Sequence, residues 1–119
     1  PYTLVLPNPA CRFHWLAGSP PDTIGVRVPA LTGLARDLVD RVGAVAMTSA
    51  NRHGEPDPRR LEDVADEILD AVAVAVDGGD LPGTPSTVLD FTGSEPRVLR
   101  EGALPGAEAL ARVEVVLAE

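Results

Sequence analysis

The chain has 119 residues, enough for one self-supporting core, with 45% hydrophobic and 24% charged residues, the balance of a globular domain rather than a disordered or membrane-spanning one. Its net charge is −8 from 18 acids against 10 bases, and every base is an arginine; this argues against broad electrostatic binding of nucleic acid by this chain alone, which needs many neutralised phosphates, while leaving room for an anion held by a few forked guanidinium contacts. The single cysteine, Cys11, cannot form an internal disulfide, no apolar run reaches the roughly 18 residues of a membrane span, and no basic leader opens the chain, so a reducing cytoplasm is the expected setting.

In chain order, residues 2–6 (Y-T-L-V-L) read as a strand closed by Pro7-Asn8-Pro9. A sheet strand at the second residue marks the chain as truncated, processed or one part of a longer polypeptide. Residues 11–22 read as a loop punctuated by Gly18, Pro20 and Pro21 and carrying Trp15, and residues 23–28 as a second strand ended by Pro29. Apolar residues at 31, 34, 35, 38, 39 and 42 follow the helical period, with Gly43 as the stop. Residues 44–47 are apolar and read as a buried strand running into the polar loop Thr48-Ser49-Ala50-Asn51. Residues 52–60 form a turn-rich loop before a second helix with Leu61, Val64, Ala65, Ile68 and Leu69 on one stripe.

Residues 71–76 read as another apolar strand, ending at Asp77-Gly78-Gly79. After the Gly/Pro segment 80–85, residues 86–90 and 97–100 form two strands of a hairpin around residues 92–96, and a last helix is predicted over 107–117. The fold class is α/β, with five or six strands, three helices and a mixed sheet flanked by helices.

Nucleophilic catalysis has little material. There are two histidines, both in predicted loops, and neither a G-x-S-x-G elbow nor a Walker loop. The carboxylates of the second helix read as a solvated face. Three segments carry chemistry. Arg27 stands at the end of an apolar strand, where a guanidinium can hold a carboxylate or phosphate through paired hydrogen bonds; alone, it is equally a strand-edge residue reaching solvent. Met47-Thr48-Ser49-Ala50-Asn51 follows a predicted strand, the edge where ligands gather in open α/β sheets, although such a turn is also ordinary loop structure. Ser86 and Arg100 begin and end the predicted hairpin, which brings a hydroxyl and an arginine to one end of a ribbon.

Together the ordered motifs Y-T-L-V-L-P, T-I-G-V-R-V-P, T-S-A-N-x-x-G-E-P, D-G-G, P-S-T-V-L-D and V-L-R-x-G, from Pro1 to about Gly102, resemble the YrdC/TsaC family. The resemblance implies a YrdC-like (DHBP synthase-like) fold, a twisted mixed sheet incomplete here at its N-terminus, with residues 1–119 the C-terminal portion of one domain. It implies an L-threonylcarbamoyladenylate synthase: threonine, bicarbonate and ATP, with Mg²⁺, give threonylcarbamoyl-AMP and pyrophosphate. A partner complex then modifies the adenosine at tRNA position 37.

Carried over by motif, Arg27, Met47 and Ser86 would contact threonine, and Thr23, Ser49, Asn51, Asp57 and Arg100 would contact ATP. No catalytic side chain and no protein metal ligand is implied. This chain departs from the family in lacking the upstream P-T-[DE]-T-x-Y-G-like segment and a Lys-x-Arg pair. Asp57 stands where a small hydroxyl residue is common, and Glu101 where proline is frequent. The expectation is therefore half a site, with weak ATP binding and no synthase activity from the chain alone. Two alternatives share the fold: a YrdC-like domain of a hydrogenase-maturation carbamoyltransferase, or a non-catalytic RNA- or ribosome-binding module. Direct RNA contact by this acidic chain would be weak.

Overall fold

The computed structural model describes residues 2–16 and 22–117; the predicted loop markers Gly18, Pro20 and Pro21 lie outside them. The chain forms two compact units, residues 1–46 with 86–119, and residues 47–85.

The first unit is built on four strands: β1 (Tyr2–Pro7), β2 (Thr23–Val26), β3 (Thr87–Asp90) and β4 (Arg97–Arg100). Their order is β2-β1-β3-β4. β1 pairs antiparallel with β2 and parallel with β3, and β3 pairs antiparallel with β4, so the sheet is mixed. The hairpin read from residues 86–100 is present. β2 stops at Val26, two residues short of the expected strand, leaving Arg27 and Val28 beyond the ladder.

Side chains alternate across a sheet, and the register sorts them. Leu4 pairs with Leu89, and Leu89 with Val98, so these share a face with Thr87. The helix α3 (Gly106–Leu117) covers that face: it contacts β3 and β4, and Leu89 and Ala109 are 1% and 4% exposed. The close approach requires Gly106, since a Cβ there would lie 2.5 Å from a Val98 methyl. Thr87 is wholly buried. Its hydroxyl donates to the Leu104 carbonyl and accepts from the Gly102 N–H at 2.9 Å, tying the segment after β4 back to β3 and satisfying the buried hydroxyl.

The helix α1 (Gly33–Val42) bears the predicted apolar stripe but buries none of it. Leu34, Leu38 and Val42 are exposed, and among the described residues α1 contacts no other helix or strand of its unit. The apolar run 44–47 is irregular rather than a strand. A strand needs a neighbour to take its backbone N–H and C=O groups, and the described sheet offers this run none.

In the second unit the run 71–76 fails as a strand for the same reason: Val72, Val74 and Val76 are exposed. The expected helix over residues 61–69 is broken into a 3-10 turn (Leu61–Asp63) and a short helix α2 (Asp66–Ala71). Val64 and Ala65 between them are extended, and Val64 turns inward at 9% exposure. None of the described helices is long and apolar enough to cross a membrane.

At the hairpin turn Asp90 is buried. Its carboxylate accepts from the Thr92 hydroxyl at 2.6 Å, the Thr92 N–H at 2.9 Å and the Arg97 guanidinium at 2.9 and 2.8 Å. These bonds, the Thr92 hydroxyl's foremost, hold its pKa down to about 2. A carboxyl depressed on folding stabilises the fold above its unfolded pKa of about 3.9, and that contribution is lost as the pH falls through the folded value. Wild-type stability should therefore drop between about pH 4 and 2 more steeply than that of Asp90→Asn. Parallel curves from urea titrations across that window would contradict the assignment.

Candidate functional site

Starting from the first unit's sheet, Thr3 pairs with Val88, Val88 with Arg100, and Val5 with Gly25. These residues share the face opposite α3, Arg100 because the register shifts between Val88 and Leu89 and so breaks its alternation with Val98, and alternation adds Ser86, two residues before Val88. Arg27 stands one residue past the end of β2, beyond its last paired residue, Val26. Within this unit no described helix packs on that face. Two of the sequence-predicted residues, Ser86 and Arg100, thus meet at the end of the sheet where β3 begins and β4 finishes.

The chemistry of this face is that of donors. Ser86 is buried at 8% exposure, and its hydroxyl shares a 2.8 Å hydrogen bond with the Thr3 hydroxyl. The Arg100 guanidinium donates to the Ser86 carbonyl through Nε at 3.2 Å and one terminal nitrogen at 2.8 Å. That fixes the guanidinium plane and leaves its remaining N–H groups for a ligand. Arg27 is exposed, with no hydrogen-bond or ion-pair partner among the described residues. Other arginines are spent on carboxylates: Arg36 on Asp40, Arg52 on Glu67, Arg60 on Glu62, Arg97 on Asp90 and Arg112 on Glu108. Neither Arg27 nor Arg100 is neutralised in this way. Such uncommitted guanidinium groups suit anion capture. Thr23, also expected at the site, is half-buried at the start of β2, where it pairs with Pro7.

Met47, Ser49, Asn51 and Asp57 belong to the second unit. Met47 and Ser49 are exposed in irregular backbone. Asn51 donates from Nδ2 to the Glu55 carbonyl at 2.6 Å, and the Glu55 N–H returns to the Arg52 carbonyl at 3.0 Å, closing a compact turn. The Asn51 Oδ1 is buried without a partner. A cavity of about 370 Å³ opens beside this turn, lined by Asn51, Arg52, Asp63, Asp66 and Glu67 among others. Its one guanidinium is already forked onto Glu67 at 2.5 and 2.7 Å. That contact raises the Arg52 pKa and lowers that of Glu67. With four acids, Glu55 among them, against one engaged base, the cavity walls repel rather than collect phosphate. Asp57 is half-buried nearby in sequence. No three His, Cys, Asp or Glu side chains converge as a metal-ligating set among the described residues.

Sequence reasoning missed Thr3, read only as part of a strand, and the buried polar pair Thr87 and Asp90. The signal for Thr3 was available: in Y-T-L-V-L it is the polar residue alternating with Val5.

The family model for Sua5/YciO/YrdC, described as "Telomere recombination", matches residues 1–102. A Mycobacterium tuberculosis relative is 38% identical over 105 residues, covering 87% of this chain and 48% of its own length. A threonylcarbamoyl-AMP synthase from Pyrococcus abyssi is 36% identical over 121 aligned positions, covering all of this chain and 34% of that protein. The crystal structure of Pyrococcus abyssi Sua5 complexed with L-threonine superposes with a TM-score of 0.77 at 35% identity, over 91% of this chain and 32% of that one. The chain therefore spans between a third and a half of the length of these relatives, and it belongs to the Sua5/YciO/YrdC family.

Proposed function

We propose that this chain is the C-terminal portion of one YrdC-like domain in an L-threonylcarbamoyladenylate synthase, which condenses L-threonine, bicarbonate and ATP into threonylcarbamoyl-AMP and pyrophosphate. The observation that supports the reading is the meeting of Ser86 and Arg100 at one end of the sheet, with Arg27 just past the end of β2, in a fold shared with a protein crystallised with L-threonine.

In this reading Arg27 grips the threonine carboxylate and Ser86 hydrogen-bonds the amino acid, with Met47 approaching it. Arg100 faces the ATP phosphates, and Thr23 lies near the nucleotide. The ATP contacts assigned to Ser49, Asn51 and Asp57 rest on the T-S-A-N-x-x-G-E-P motif alone. The chemistry needs no protein nucleophile. Threonine's amine takes up carbon dioxide and loses a proton to give a carbamate; a carbamate oxygen forms a bond to the α-phosphorus as the bond to pyrophosphate breaks. The protein aligns the two substrates and neutralises charge with arginine and hydroxyl donors. Mg²⁺ would enter on the ATP phosphates rather than on a ligand set of this chain. The setting is the cytoplasm, and the product would pass to a tRNA-modifying transferase complex.

A polypeptide of the relatives' length that carries this chain should release pyrophosphate only when threonine, bicarbonate and ATP are all present, and residues 1–119 alone should release none. Steady release from the isolated chain would overturn the division of the site, and threonine-independent release from the longer polypeptide would overturn the reaction.

A further inference from the structure

We infer that Thr3 is a positioning residue for threonine binding, acting through the hydroxyl of Ser86; the inference rests on the reading of Ser86 above. β1 is flanked by β2 on one side and β3 on the other, so Thr3 stands between the strand that leads to Arg27 and the strand that follows Ser86. Its side chain is oriented from both sides. The Cγ2 methyl faces β2, lying 3.9 Å from the point where a Cβ on Gly25 would stand, and Oγ1 faces β3 at 2.8 Å from Ser86 Oγ. A β-branched residue in a strand has few χ1 choices, and a methyl seated towards a glycine leaves the hydroxyl committed to Ser86.

The consequence is a defined hydroxyl pair. Two hydroxyls contribute two protons, and their mutual bond uses one. With Thr3 donating, the Ser86 proton is free to be donated to a carboxylate or carbamate oxygen of the substrate; with Ser86 donating, the Ser86 lone pairs receive a substrate N–H or O–H. In both cases Thr3 holds Ser86 Oγ at a fixed place on the sheet face opposite α3. Without that bond the buried serine hydroxyl turns among its rotamers, and each bound threonine must first order it.

The test uses the full polypeptide that carries this chain. Thr3→Val keeps the shape and strand preference of the residue while deleting the hydroxyl, and Thr3→Ser restores it. The expected result is a KM for threonine raised about tenfold in Thr3→Val, the scale of one lost hydrogen bond, with the KM for ATP unchanged and Thr3→Ser within about twofold of wild type. Adding Thr3→Val to Ser86→Ala should cost nothing further, because the two act as a unit. An unchanged threonine KM in Thr3→Val, an equal rise in both KM values, or failure of Thr3→Ser to rescue would overturn the inference. Wild type without threonine-dependent turnover would instead sink the underlying reading, and the inference with it.

Discussion

Arg27→Ala is expected to lower kcat/KM for threonine by about 10² to 10³-fold in the full polypeptide, with its thermal stability unchanged. The size follows from what truncation leaves behind: a substrate carboxylate deprived of a forked, charge-assisted partner, a loss on the order of 2–5 kcal/mol at about 1.4 kcal/mol per tenfold. The unchanged stability follows from the structure. Arg27 lies past the end of β2, exposed and without a partner among the described residues, and substitutions at such positions shift stability by about 0.5 kcal/mol or less. Arg27→Lys should recover only part of the loss, since an ammonium supplies charge without the fork. Steady-state kinetics with threonine varied, alongside a thermal melt, check both halves. A fall in melting temperature that tracks the fall in activity would make Arg27 a structural residue instead.

The second large effect concerns the fold. Leu89→Ala should destabilise the first unit by about 2–5 kcal/mol, the range for a buried leucine that leaves a cavity behind. Leu89 is 1% exposed beneath α3, and the buried apolar residues accompanying it among the described residues are Ala109 and, in the second unit, Val64. With so few fully buried apolar side chains, one Leu-to-Ala change removes a large fraction of a stability normally about 5–15 kcal/mol. Urea unfolding of this chain followed by circular dichroism should show the midpoint collapsing towards zero denaturant. A shift worth less than about 1 kcal/mol would mean that the core lies elsewhere.

The elements that the amino-acid pattern revealed are those whose cause is local. The hairpin 86–100 announces itself through its turn residues, and α1 and α3 through helical spacing. The failures share one cause. Runs 44–47 and 71–76 are apolar enough to be buried strands, but whether a run becomes a strand depends on a pairing neighbour, which lies elsewhere in the chain. The break at Val64 and Ala65 was equally invisible, because both residues fit the helical period of the stripe they interrupt.

The same contrast governs the site. Arg27, Ser86 and Arg100 were legible through motif resemblance, and register explains the meeting of the last two: the pairings Thr3 with Val88 and Val88 with Arg100 turn distant positions into neighbours on one face. Thr3 was not legible, since its role exists only once β3 lies beside β1. The uncovered stripe of α1, Leu34, Leu38 and Val42, is the counterpart at the level of the fold. Its spacing promised a buried face, and among the described residues no strand or helix of its own unit contacts it.

The most direct test of the threonine site is a titration of the isotope-labelled full polypeptide with L-threonine, followed by amide chemical shifts. The account predicts the largest changes at Thr3, Arg27, Ser86, Val88 and Arg100, with the α3 side of the sheet little affected. Shifts confined to Gly106, Ala109 and their helix, or a threonine response that passes over Arg27 and Ser86, would contradict it.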